Sequence, residues 1–406
     1  MTPNRFVLWI VCEVYYPEIT STGYYLTAIA EALAQDRTVK VICGQPNYAS
    51  RGTTASRHEV HNGVEIFRAV GTRFDKNRIL NRLVNMTTLG LTTLGAAIRR
   101  FQSGDNILVV TTPPALPYLI SLAALVKGCS YTLLIHDAYP EQLIAVGAVG
   151  ADSIIARTLD WLNRMAYKHA AKIIVVGRDM KELLERKTGC LDVPVISIGN
   201  WAESETIVPS DRSTNPLLLR LGLQDKFVLL FAGNFGRPTD VETLIEAAAL
   251  MQDNKEIHFL LIGGGAKLPW VKDQIETRHL QNVTITGPLP RDQQSVFLNA
   301  GDVALVTLVP GMLGAAVPSR LYNFLAAGKP ILALTEPGSE IDRIIREDGV
   351  GWAVYSREPG VLRETVERIY SERHLLAEIS ARASRAAVTR FSAEPALDQY
   401  RSALPK

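Results

Sequence analysis

Short runs of apolar, often β-branched residues alternate along this chain with stretches whose apolar positions recur every three or four residues. Phe6–Val14, Thr38–Cys43, Val64–Val70, Ile107–Val110, Tyr131–Ile135, Lys172–Val176 and Val193–Ile198 read as strands. Gly23–Gln35, Arg78–Phe101 and Ser153–His169 read as helices between them. Strands that are apolar throughout, separated by amphipathic helices, predict parallel sheets covered on both faces. After a polar, Pro- and Gly-bearing stretch from Gly199 to Pro216 the rhythm restarts, with strands at Phe227–Phe231, His258–Ile262, Val283–Thr286, Val303–Leu308 and Pro330–Leu334. The pattern thus predicts an α/β chain of two Rossmann-like domains, residues 1–200 and 201–390. A final helix, about 391–406, is expected to return to the first domain. Ligands of such folds sit at the carboxyl ends of the strands, so the site is expected in the cleft between the domains.

Composition narrows this picture. At 406 residues the chain exceeds one ordinary core, and 47% hydrophobic with 21% charged residues is a globular balance. A net charge of +2 argues against a nucleic-acid protein with a broadly basic surface. Cys12, Cys43, Cys129 and Cys190 lie far apart without zinc-type spacing, and no HExxH is present. Neither a disulfide scaffold nor a structural zinc site is expected, and a reducing compartment fits. Glu13 interrupts the apolar start too early for a signal peptide. The uncharged run Ile107–Val126 holds Pro113, Pro114 and Pro117, which suits strand, loop and helix rather than a membrane span.

Candidate chemistry falls at the strand ends. The loop after the first strand ends in Ser21, Thr22 and Gly23, small residues that let backbone and helix N-terminus approach a polar ligand. They equally describe a plain turn with Ser21 or Thr22 as helix cap. The loop is not GxGxxG, and no acidic residue ends the second strand, which disfavours a nicotinamide dinucleotide. His136 and Asp137 directly follow the strand Tyr131–Ile135, where a substrate would be met; alternatively the histidine is structural and Asp137 caps the next helix. In the second half, Gly233, Asn234 and Arg237 follow one strand, Gly263 and Gly264 the next, and Gly287, Pro288 and Leu289 a third. Such ends can turn backbone N–H groups toward phosphate or a nucleoside. The fourth strand leads to Val317-Pro-Ser319-Arg320-Leu321, placing a guanidinium among the free amides of a helix start, an anion site. The plainer alternative is that the glycines only turn the chain and Arg320 is solvated.

These segments resemble the family 4 glycosyltransferases of the GT-B fold, within them the bacterial O-antigen, capsule and exopolysaccharide branch. The carriers are Tyr16-Pro-Glu-Ile-Thr-Ser-Thr-Gly, His136-Asp-Ala-Tyr-Pro-Glu, Ser197-Ile-Gly-Asn-Trp-Ala, Ala232-Gly-Asn-Phe-Gly-Arg and Val317-Pro-Ser-Arg-Leu-Tyr-Asn-Phe-Leu-Ala-Ala-Gly-Lys-Pro, in order over nearly the whole chain. The resemblance implies two Rossmann-like domains, acceptor on the first and nucleotide-sugar on the second, and transfer with retention without a metal or other cofactor. The negative charge that grows on the departing diphosphate must then be met by cations and preorganised amides. It also implies that His136 touches the donor sugar. Two departures stand out. The Arg and Lys that many relatives place after the second domain's first strand fall here on Asn234 and Thr239, with Arg237 nearby. The E-x7-E glutamates fall on Ala315 and Asn323, of which only Asn323 could bond a ribose hydroxyl. The resulting expectation puts Arg237 and Arg320 beside the diphosphate with amides from Ser319 and Leu321. Gly233, Asn234, Gly263, Gly264, Gly287, Pro288, Leu289 and Asn323 are expected around the donor, and Ser21, Thr22, Gly23 and Asp137 on the acceptor side. UDP is the expected nucleotide. A nucleotide-sugar 2-epimerase of the same fold and a non-catalytic nucleotide-sugar-binding subunit are the rival readings.

Residues 71–101 carry six cations, Arg73, Lys76, Arg78, Arg82, Arg99 and Arg100, against Asp75 alone, and 83–98 are uncharged. A basic, amphipathic segment can lie on anionic lipid, although its apolar part also suits an ordinary buried helix. Together with the lipid-linked saccharide acceptors of the family, this predicts a cytoplasmic enzyme peripheral on the inner leaflet, contacting it through 73–101.

Overall fold

The computed structural model describes residues 6–46, 54–72, 74 and 79–405, without the side chains of Ile79 and Arg82. The first sheet holds β1 (Leu8–Val11), β2 (Val39–Cys43), β3 (His58–His61), β4 (Val64–Arg68), β5 (Asn106–Val110), β6 (Ser130–Ile135), β7 (Lys172–Val175) and β8 (Val195–Ser197). Its order is β3-β4-β2-β1-β5-β6-β7-β8, parallel except where β3 runs antiparallel to β4. The second sheet holds β9 (Phe227–Asn234), β10 (Ile257–Gly264), β11 (Val283–Thr286), β12 (Val303–Thr307), β13 (Ile331–Leu334) and β14 (Gly351–Val354), in the order β11-β10-β9-β12-β13-β14 and parallel throughout.

Two strands go beyond the apolar pattern. β3 is solvent-facing and carries His58, Glu59 and His61, so no apolar run marks it; the Asn62-Gly63 turn, both residues at positive φ, closes the hairpin. β14 is a short Gly-Trp-Ala-Val edge strand that exists because β13 offers it a partner. The continuous apolar runs are explained by burial on both sides. Along β9, Val228, Leu230 and Ala232 join one core while Phe227, Leu229 and Phe231 join another on the opposite face.

The helix Ala393–Ala403 packs against the helix Ser21–Ala34. Its final carbonyls are met by cations of the first domain: the Arg37 guanidinium donates to Arg401, Leu404 and Pro405, and Lys172 Nζ to Ala403 at 2.6 Å. Contacts also join the domains across the cleft. Arg178, opening the helix Arg178–Thr188, pairs with Glu340 and Glu347 of the helix Glu340–Asp348, and Arg343 pairs in return with Glu182. Among the described residues no helix is long and apolar enough to cross a membrane. Of the basic segment, Arg73, Asp75, Lys76 and Arg78 lie outside the described residues, as does the Arg82 side chain; the helix Ile79–Arg100 follows.

Candidate active site

The strand ends of the two sheets face one another, and residues far apart in sequence meet between them. Ser21 Oγ, at the start of the first helix, lies 2.7 Å from Ser319 Oγ of the second domain. The cap of that first helix is Thr20, whose Oγ1 accepts from the Gly23 amide, not Ser21 or Thr22. That frees Ser21 to reach across. Gly23 is required at its place because a Cβ there would come within 2.5 Å of the Glu18 carbonyl oxygen.

Arg320 opens the helix Arg320–Ala326 and lies against the backbone of Gly233, where an added Cβ would sit 2.7 Å from the guanidinium carbon. The guanidinium stacks over Phe231 at 4.6 Å, and its Nη1 is shut off from solvent with no hydrogen-bond partner among the described residues. Burial lowers its pKa to about 10. Among the described residues it is a cation without an anion, held by the glycine that makes room for it. Gly263 stacks behind: a Cβ there would fall 1.8 Å from the Gly233 carbonyl oxygen, so both positions demand glycine. The structure therefore brings Gly233, Gly263, Ser319, Arg320 and Ser21 together.

Other expected residues are placed differently. Arg237 is exposed, and among the described residues it makes no ion pair. Thr239 is buried and donates to the Asn234 carbonyl at 3.0 Å, shaping the loop. The cation at that loop is one the sequence reading passed over: Lys267 Nζ bonds the Thr239 carbonyl at 2.7 Å and Glu242 at 2.8 Å. Asn323 is turned to the interdomain linker. Its amide nitrogen donates to Glu203 at 2.7 Å, and Glu203 also pairs with Arg291, which stacks over Tyr24. Gly264 and Pro288 lie side by side, and Leu289 packs at the edge of the core.

On the first domain, His136 and Asp137 end β6. Burial without a compensating charge lowers the His136 pKa to about 4, so its imidazole is neutral at physiological pH. Burial raises Asp137 to about 6, and its Oδ1 accepts from Gln142 at 2.8 Å. Asp137 does not cap the next helix, whose N-cap is Pro140. Instead its backbone forms an antiparallel bridge with Ala316, and the Ala138 amide donates to the Ala315 carbonyl at 2.8 Å. Ala315, which has no useful side chain, thus contributes its carbonyl to closing the cleft.

The same loop is held from both domains. Asp179 Oδ2, in the first turn of the helix Arg178–Thr188, accepts from the Gly314 amide at 3.0 Å, and Glu336 accepts from the Leu313 amide at 3.0 Å. A narrow pocket beside it is lined by Asp179, Met312, Val317, Glu336, Ser339 and Arg357. Asp179 sits in the first turn of the helix that follows β7, so an acid just past a strand end was a weaker signal available in the sequence. Glu203 and Arg291 carried none, because their partners are 120 and 88 residues away. Among the described residues no three His, Cys, Asp or Glu side chains gather as a metal site.

Two facing Rossmann-like domains with a cation at the start of a second-domain helix define the architecture of a GT-B glycosyltransferase. The description "Glycosyl transferases group 1" matches residues 220–386, and "Glycosyl transferase 4-like domain" matches residues 21–201. A Pseudomonas aeruginosa protein described as "Probable glycosyltransferase WbjE" is 35% identical over 297 residues, 73% of this chain and 74% of that one. An Escherichia coli (strain K12) protein, provisionally described as the colanic acid biosynthesis glycosyl transferase WcaI, is 26% identical over 342 residues, 81% and 83% of the two chains. The solved structure of Anabaena HepE with UDP and glucose superposes with a TM-score of 0.74 at 15% identity, covering 98% of this chain and 99% of that one. The chain belongs to the group 1, or family 4, glycosyltransferases, a family of retaining sugar transferases, and is an enzyme of that class.

Proposed function

We propose that the enzyme moves a sugar from a UDP-linked donor to a saccharide carried on a lipid diphosphate, in the synthesis of a cell-surface polysaccharide. The observation that carries this reading is the buried, unpaired Arg320 guanidinium against Gly233, a place for a diphosphate. The UDP bound to HepE and the colanic acid role ascribed to WcaI support the choice of nucleotide and pathway class.

In this reading Arg320 and the Ser319 amide meet the charge that develops on the departing diphosphate, so no metal is called upon; the Leu321 amide, expected to join them, is instead given to the Pro318 carbonyl at 3.2 Å. Gly233, Asn234, Gly263 and Gly264 shape the phosphate side, and Gly287, Pro288 and Leu289 the nucleoside side. Arg237, exposed at the loop after β9, closes over the diphosphate once the donor is bound. His136, neutral, donates a hydrogen bond to a donor-sugar hydroxyl rather than a proton. The departing phosphate oxygen takes the acceptor hydroxyl proton as the new glycosidic bond forms on the same face. Ser21, Thr22, Gly23 and Asp137 orient that hydroxyl. The enzyme reaches its acceptor as a peripheral protein on the inner leaflet. Residues 73–101 supply one contact, where the helix Ile79–Arg100 exposes Leu80, Val84, Leu91 and Ile98.

Incubation with a panel of UDP-sugars and a membrane lipid extract tests this. Label moving into the lipid fraction is the expected result. Interconversion of free nucleotide sugars would mark an epimerase instead, and binding without turnover a non-catalytic subunit.

A further inference from the structure

The helix Ile154–Lys168 carries two apolar stripes. One, with Ala156, Ala166 and Tyr167, is buried on the first domain, where the polar Asn163 among them is bonded to Tyr118 and Tyr139. The other points away from the protein: Ile154 is 83% exposed, Trp161 62% and Met165 45%, spaced seven and four residues apart so that all three share the outward face. A soluble helix ordinarily keeps its outer face polar, and a large exposed aromatic at its centre is a costly placement unless something covers it.

The neighbouring helix Leu116–Lys127 packs alongside and exposes Leu122, Leu125 and Val126. Two adjacent helices thus form one apolar surface. Its exposed charges are mainly cationic. Arg157, Arg164 and Lys168 are exposed along one flank of the outward stripe. The single acid within Ile154–Lys168, Asp160, is half-exposed and neutralised by Lys187 at 2.6 Å. Lys127 ends the neighbouring helix, which has no acid at all.

We infer that this face, built on Ile154, Trp161 and Met165 and flanked by Arg157, Arg164 and Lys168, docks the enzyme onto an anionic lipid bilayer. The apolar stripe enters the acyl boundary, Trp161 settles at the headgroup level, and the cations meet lipid phosphates. A protein partner of matching shape would need acidic groups on one side only, whereas a bilayer presents an apolar layer beneath negative charge everywhere. The surface complements the Ile79–Arg100 contact and rests on the lipid-linked acceptor proposed above for its biological use. It orients the cleft relative to the membrane by two helices rather than one.

The test is co-sedimentation of the full chain with vesicles of phosphatidylcholine alone or with roughly a third phosphatidylglycerol. UDP-induced thermal stabilisation, read on each variant, reports an intact fold and donor site. The expected result is binding to the anionic vesicles that salt weakens. The double variant Ile154→Glu, Trp161→Glu should lose about tenfold or more on both vesicle types. Arg157→Glu with Lys168→Glu should lose affinity for the anionic vesicles only. Variants that fold and bind vesicles as the parent does overturn the proposal. So does a parent protein that ignores vesicles, or one that sediments as a dimer until the apolar pair is replaced, because the face is then covered by a second copy. Failure of the glycosyl-transfer reading shows separately, as no transfer from any UDP-sugar to lipid extract whatever the vesicle result.

Discussion

Arg320 makes the protein less stable than it need be, and replacing it should show this. Its guanidinium titrates at about 10 instead of 12.5 because burial penalises the charge, and at ~1.4 kcal/mol per tenfold this is a cost of about 3 kcal/mol to the ligand-free fold. Stacking on Phe231 returns about 1 kcal/mol. Arg320→Met keeps the unbranched stem and removes the charge. It should therefore stabilise the free protein by about 2 kcal/mol, raising the melting temperature by a few degrees. The same change leaves the donor diphosphate without its cation, a loss of about 2–5 kcal/mol in nucleotide binding. Thermal unfolding with and without UDP reads both effects. The parent should rise in melting temperature with saturating UDP, as mass action requires, while the Arg320→Met protein starts higher and barely moves. A variant that melts below the parent without ligand, yet shifts with UDP as the parent does, would refute the argument on both counts.

Four further expectations follow from the cleft. Gly263→Ala places a Cβ 1.8 Å from a backbone oxygen at a φ of +142°, so soluble yield and stability should collapse, with a loss above about 3 kcal/mol by denaturant titration. Asp179→Asn loosens the Gly314 amide and with it the loop 312–316; KM for the nucleotide-sugar should rise severalfold while affinity for UDP alone, measured calorimetrically, holds. His136 and Asp137 act oppositely on acid stability. His136 titrates at about 4 when folded against 6.5 when unfolded, so between these values the unfolded chain takes up more protons and stability falls with falling pH. Asp137 titrates at about 6 against 3.8, so the folded state binds the extra proton and stability rises over nearly the same range. Relative to the parent, denaturant midpoints should rise on acidification across that range for His136→Asn and fall for Asp137→Asn, by at most about 3 kcal/mol each. In turnover, His136→Ala should lower kcat more than it weakens UDP binding.

The apolar rhythm of the sequence determined the fold class, because strands buried on both faces must be apolar at every position, as β9 is. Glycines at the ends of β9 and β10 and the Pro-Ser-Arg-Leu helix start were legible for the same local reason: close backbone approach and a helix start depend on residues adjacent in the chain. The β3 hairpin was less so, since its exposed strand has no apolar signature and only Asn62-Gly63 marks the turn. What tertiary structure alone decided is who meets whom across the cleft. Arg320 became an unpaired buried cation because folding stacked it on Phe231 and Gly233, whereas Arg237, equally basic and nearer the glycine, was left in solvent. Asn323 went to Glu203, and the carbonyl of Ala315 to Ala138, through contacts between distant segments that no local pattern encodes. The outward stripe of Ile154, Trp161 and Met165 looked like any helical periodicity in sequence. Only the packed sheet shows which of its two apolar faces is turned to the core and which to the surroundings, because burial is a property of the assembled surface, not of residue spacing.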